Sequence, residues 1–245
     1  MEKNACRILD VHTHRLPGVS GRGGAIVNCR LSADSPLHTA AEDSGIPVCG
    51  EGALVCGEGV SVCGEGGYYS AGIHPWDLTG ADAGRQLGLL RELLEAKRLV
   101  AVGEAGLDKL AGASMEFQSA VFKRQIELSE EYGLPLIIHC VKAADELLAL
   151  KRELHPVQPW IWHGFRGKPE QAEQLLRKGF YLSFGGRYPE RTMKAVPDGR
   201  LLLETDDGPE SIEEILCRAA TVRGVGREEL RMIVCNTVRD IFFRA

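Results

Sequence analysis

Short apolar runs alternate along this chain with amphipathic stretches. Eight runs stand out, at residues 8–12, 25–29, 68–74, 99–107, 134–140, 160–165, 180–184 and 201–204. Most are continuous rather than alternating, the pattern of a strand covered on both faces in a parallel sheet. Between them, Leu87, Leu90 and Leu94 repeat at helical spacing, as do Phe117, Val121, Phe122 and Ile126. Pro169 suits a helix first turn and Gly179 its stop. Leu230, Ile233, Val234, Val238 and Ile241 mark a last helix. Eight strands with helical connections predict an α/β fold, a distorted TIM (β/α)8 barrel occupying residues 1–245 as a single domain. The link between the seventh and eighth runs is too short for a good helix, so an irregularity is expected there.

One segment departs from this rhythm. Residues 48–66 read VCGEGALVCGEGVSVCGEG, with V-C-G-E-G recurring every seven residues. A heptad suggests a coiled coil, but each glycine costs about 1 kcal/mol in a helix. Cys49, Cys56 and Cys63 offer thiolates, and Glu51, Glu58 and Glu65 offer carboxylates. A tandem expansion in a tolerant surface loop is the simpler reading, and the segment is expected to be functionally inert.

Composition narrows the class. Hydrophobic content of 44% and charged content of 26% are ordinary for a globular protein. The net charge of −5 supplies no global basic field for nucleic acid. Eight cysteines include no C-x-x-C pair, the start lacks an apolar signal core, and no stretch approaches a membrane span. A cytoplasmic protein with reduced thiols and no obligate protein partner is expected.

The chemistry sits where the runs end. His12 and His14, two apart on a strand, project to one face. Glu104 lies in the fourth run, His139 near the end of the fifth and His163 within the sixth, and Asp206 follows the eighth. Barrel active sites form at the C-terminal ends of strands. Four imidazoles and two carboxylates suit Zn²⁺, Mn²⁺ or similar ions and require no thiolate. Six ligands exceed the needs of one catalytic ion, so two divalent metal ions sharing Glu104 are expected, lowering the pKa of a bound water towards ~7. Asp206 is placed to accept that water's proton. Glu204 and Asp108 are candidate partners for the ligand histidines.

The motifs DVHTH, AGIHPWD, VGEAGLD, LPLIIHC, WHGFRG and LLLETDD together resemble those of the TatD family of metal-dependent hydrolases, over nearly the whole chain. The resemblance implies a distorted barrel and Mg²⁺- or Mn²⁺-supported DNase activity. It implies that His12, His14 and Asp206 hold one ion, that His139 and His163 hold the second, and that Glu104 bridges. His74 matches a family histidine near the substrate. The surround departs from the commoner pattern: Val141-Lys142 follows the fifth strand, His163-Gly164-Phe165-Arg166-Gly167-Lys168 the sixth, and Trp76 follows His74-Pro75. Lys142, Arg166, Arg15 and Lys168 could gather positive charge for a phosphate, and Trp76 could stack on a base or pack. A phosphodiesterase acting on DNA ends or single strands is the first expectation. Hydrolysis of an amide, lactone or aminoacyl ester is the second. A non-catalytic metal-binding relative is the third.

Overall fold

The structure is a computed structural model describing residues 9–15, 24–31, 54–56, 60–62 and 68–243. Its strands are β1 (Asp10–Thr13), β2 (Ala25–Arg30), β3 (Leu54–Cys56), β4 (Val60–Val62), β5 (Tyr68–Gly72), β6 (Ala101–Asp108), β7 (Leu136–Val141), β8 (Trp160–Trp162), β9 (Phe180–Phe184) and β10 (Leu201–Leu203). Its helices are α1 (Ala83–Glu95), α2 (Met115–Tyr132), α3 (Ala144–Leu154), α4 (Pro169–Arg177), α5 (Glu190–Ala195), α6 (Ile212–Arg223) and α7 (Arg227–Phe242). Among the described residues the strand order β1-β10-β9-β8-β7-β6-β5-β2 closes on itself, the expected α/β barrel. Each of the eight apolar runs overlaps a barrel strand. Several strands stop before the polar residue that ends the run, so His74, His163 and Glu204 fall just past β5, β8 and β10. None of the helices among the described residues is long and apolar enough to cross a membrane.

The chain divides into two compact units, residues 27–158 and residues 1–26 with 159–245. In the first, β6 is buried along its whole length and pairs in parallel with β5 and β7. The β6–β7 register shifts between Val102 and Ala105, a bulge that re-aims the side chain of Glu104. Glycine is required here. Gly106 has φ +155°, and a Cβ on it would collide with the His139 carbonyl of β7. Helix α2 starts at Ser114, whose hydroxyl accepts from the Phe117 N–H at 3.2 Å, and stops at left-handed Gly133 with φ 67°. It buries Val121, Phe122 and Ile126, each contributing roughly 1.5–3 kcal/mol. Two glutamines on the same helix are also buried. Gln125 accepts from the Ile73 N–H at 2.7 Å and donates to its carbonyl at 3.2 Å. Gln118 treats Asp108 likewise, at 2.8 and 2.9 Å. Both satisfy backbone groups at strand ends that burial would otherwise leave unpaired.

In the second unit β8, β9, β10 and β1 pair in parallel in that spatial order. Helix α4 begins at Pro169, and the chain turns after it at Gly179 with φ 82°, as the sequence suggested. Helix α6 carries a reciprocal capping box between Ser211 and Glu214 and ends at left-handed Gly224. The link between the seventh and eighth strands, too short for a good helix, forms only the six-residue α5, followed by a 3-10 turn at Asp198–Arg200. Its support comes from far along the chain. The Arg223 guanidinium donates to the carbonyls of Met193 at 2.7 Å and Val196 at 2.8 Å, and the Thr192 hydroxyl donates to Gly167 O at 2.8 Å. Local spacing carries no trace of such partners.

Within the repeat, β3 and β4 pair antiparallel, Leu54 with Val62 and Cys56 with Val60. The rest of residues 48–66, including Cys49, Cys63, Glu51, Glu58 and Glu65, lies outside the described residues.

Candidate metal centre

Two clusters of imidazoles and carboxylates lie on or just past barrel strands, one in each unit. In the unit of residues 1–26 and 159–245, His12 is fully buried on β1 and His14 is partly exposed just beyond it. Their rings stand perpendicular with centroids 5.0 Å apart, and His163 lies 4.4 Å from His12. Asp206 faces both: its Oδ1 is 3.6 Å from His12 Nε2 and 3.5 Å from His14 Nε2. The backbone fixes this carboxylate. Asp206 donates its N–H to the His12 carbonyl at 2.9 Å and holds φ +52°, a conformation uncommon outside glycine.

Beneath these groups, Asp10 accepts from the Thr205 N–H at 2.9 Å and the Thr205 hydroxyl at 2.7 Å. Those bonds lock the segment after β10 onto β1. Burial pushes the Asp10 carboxyl up to about 7, against the hydrogen bonds from Thr205. Glu204 accepts from the Gly164 N–H at 2.6 Å and lies 3.3 Å from His163 Nδ1. Burial disfavours its charge, yet His163 and His12 outweigh that and hold it below the usual carboxylate range. A carboxylate on Nδ1 fixes the ring and leaves Nε2 for a ligand role.

In the unit of residues 27–158, Glu104 is the centre. Its backbone N–H donates to Asn28 Oδ1 at 2.7 Å. Its Oε1 lies 2.7 Å from His139 Nδ1 and 3.3 Å from His74 Nε2. The other ring nitrogen of His139 meets Asp108 Oδ2 at 3.1 Å. Asp108 is tied further by the Trp76 indole N–H at 2.6 Å and the Leu110 N–H at 2.7 Å. Burial raises the Asp108 carboxyl, but these donors with His139 bring it below its ordinary value. Burial lowers the pKa of His74, favouring the neutral imidazole that a metal requires. Cys140, beside His139, is pushed up to about 12 by burial and remains a thiol at neutral pH.

Three sets have ligand atoms within 4.8 Å of one another inside a single unit: His12, His14 and Asp206; His163, Glu204 and Asp206; and His74, Glu104 and His139. Neutral nitrogen and carboxylate oxygen donors of this kind fit a divalent ion such as Zn²⁺, Mn²⁺ or Mg²⁺. Each of the six expected ligands therefore belongs to a set of this kind. His74, expected beside the substrate, lies directly against Glu104. Of the expected cationic residues, Arg15 donates to the Asp207 carbonyl at 3.2 Å. Lys142 and Arg166 are exposed just past β7 and β8, and Lys142 has φ 54°. Sequence reasoning did not reach Asp10, Asn28, Gln118 or Gln125. A buried polar residue one turn from a ligand is visible only once the fold supplies its partner.

A parallel α/β barrel with imidazole–carboxylate sets at its strand ends belongs to the class of metal-dependent hydrolases. Residues 60–243 match the family model described as "TatD related DNase". The chain belongs to that family. It is 30% identical over 197 residues to the metal-dependent hydrolase YabD of Bacillus subtilis, covering 71% of this chain and 77% of that protein. It is 27% identical over 206 residues to the 3'-5' ssDNA/RNA exonuclease TatD of Enterobacter lignolyticus, covering 71% and 76%. The crystal structure of the TatD homologue YjjV from Escherichia coli superposes with a TM-score of 0.74 at 22% identity, covering 98% of this chain and all of that one. That last likeness speaks to the barrel fold.

Proposed function

We propose that this enzyme is a phosphodiesterase of DNA ends or short single strands, working with two divalent ions and with Glu104 shared between them. The observation that carries the reading is the pair of imidazole–carboxylate clusters, one on each unit. The order of ligands along the chain and the family pattern they match support the shared role of Glu104. The relative named a 3'-5' ssDNA/RNA exonuclease supports the substrate class.

Bound divalent ions supply Lewis acidity that eases deprotonation of water near neutral pH and offsets charge on phosphoryl oxygens. The protein does the rest. His12, His14, Asp206, Glu104, His139 and His163 provide the ligand atoms. Asp206 takes the proton of the attacking water through its carboxylate. Glu204 and Asp108 orient His163 and His139. His74, Lys142, Arg166 and Arg15 bind the phosphate, the cations supplying charge that the chain's net −5 does not. The lack of a C-x-x-C pair in the sequence fits a cytoplasmic setting.

The test is a substrate panel: single-stranded DNA, a lactone and an amide, each with Mn²⁺ or Mg²⁺ and with excess chelator. Metal-dependent release of nucleotides from the DNA is expected. Turnover of the lactone or amide with none of the DNA would replace this reading with amidohydrolase chemistry.

A further inference from the structure

Trp76 lies in the unit of residues 27–158 and differs from the other two tryptophans of the chain, Trp160 and Trp162, which are buried. Its side chain is 63% exposed. Exposure of a large aromatic usually goes with rotamer freedom, but this one is held by its edge. The indole N–H donates at 2.6 Å to Asp108 Oδ2, the same oxygen that meets His139 Nε2 at 3.1 Å.

The turn carrying Trp76 is fixed as firmly. The 3-10 helix Pro75–Asp77 is capped by His74, whose Nδ1 accepts the Trp76 N–H at 3.2 Å. Asp77 takes a bidentate pair from Arg30 at 2.8 and 2.9 Å, and its carbonyl accepts from Gln86 at 3.2 Å. The His74 ring is 6.5 Å from the indole and tilted by 56°, so it does not cover the indole face. A rigid indole with its polar edge satisfied and its face open, two hydrogen bonds from a candidate ligand histidine, is built as a platform for a planar group.

Resting on the phosphodiesterase reading, we propose that Trp76 is the base-stacking residue of this enzyme, holding an unstacked nucleobase next to the phosphate presented to His74, Glu104 and His139. Stacking of this kind tolerates any base, because each has a π-face. It confers preference for single strands over duplex, whose bases are already stacked. Trp76 binds through its face while its edge positions Asp108, and the two roles separate by substitution. Phenylalanine keeps a ring face and loses the N–H, and alanine loses both.

The experiment uses the full chain with Mn²⁺ and a short single strand carrying hydrolysis-resistant phosphorothioate linkages, beside the same strand with abasic residues. Indole emission is read in the parent and in Trp76→Phe, so that the difference isolates Trp76 from the buried Trp160 and Trp162. The normal strand is expected to quench emission and the abasic strand to leave it unchanged. Trp76→Ala should weaken binding of the normal strand by roughly 5- to 150-fold, the worth of one base–aromatic stack. Trp76→Phe should stay within about threefold of the parent. Equal binding of normal and abasic strands overturns the proposal, and so does a Phe variant as weak as the Ala variant, which would leave only the edge contact. The comparison of binding between normal and abasic strands needs no variant. Hydrolysis of an unmodified strand is scored separately: cleavage without base-dependent binding sinks the stack alone, and base-dependent binding without cleavage sinks the phosphodiesterase reading alone.

Discussion

The two clusters are made of the same chemical groups and are held differently. In the one containing Asp206, the carboxylate stands 3.5 and 3.6 Å from two imidazoles, and its backbone N–H is bonded to the His12 carbonyl. In the one containing Glu104, the carboxylate is already hydrogen-bonded to His139 at 2.7 Å, and His139 is engaged at its other nitrogen by Asp108. The Asp206 set holds its carboxylate farther from its imidazoles than the Glu104 set does. An ion entering the second must take the place of existing imidazole–carboxylate contacts. On the proposed two-ion reading, the Asp206 set is expected to be the tighter.

The largest effect expected is on turnover. Asp206→Ala and Glu104→Ala each remove the carboxylate of one cluster, and each should lower hydrolysis of single-stranded DNA by about a thousandfold or more. Full activity in either variant, checked free of contaminating nuclease, would show that its cluster is not needed.

Next is a change confined to the Glu104 side. Gly106→Ala places a methyl against the His139 carbonyl at a φ that alanine rarely adopts, and nothing but backbone is available to move. A loss of about 3 kcal/mol in denaturant unfolding is expected. A loss below about 1 kcal/mol would mean that β6 and β7 can separate cheaply, and that the close fit does not hold Glu104.

The smallest effect sharpens the comparison from beneath the ligands. Asp108→Asn and Glu204→Gln keep shape and remove charge from the partners of His139 and His163. Each should weaken metal binding by about 10- to 100-fold in a calorimetric titration. An unchanged affinity in either would reduce that carboxylate to a structural role.

Much of this was legible in the sequence because it rests on local order. A continuous apolar run makes a buried strand, so the eight strands follow from the runs, and the ligand-type residues on or just past them fall into the candidate sets of each unit. What was hidden depends on contacts between distant segments. The bulge at Gly103 and Glu104 exists because β6 must fit β7, and the clamps made by Gln118 and Gln125 look like ordinary polar helix positions until the strand ends arrive beside them. Helix α5 is similar, since ERTMKA lacks an apolar stripe and is secured by Arg223. Trp76 could be seen either as packing or as stacking from the sequence, and only its exposure and the bond to Asp108 separate the two.

The most direct measurement is a titration of metal-free protein with Mn²⁺, counting ions and phases in the parent, His14→Ala and His139→Ala proteins. Two ions per chain are expected, with a tighter phase lost in His14→Ala and a weaker phase lost in His139→Ala. Fewer than one ion bound at saturation, or loss of the same phase in both variants, would contradict the account.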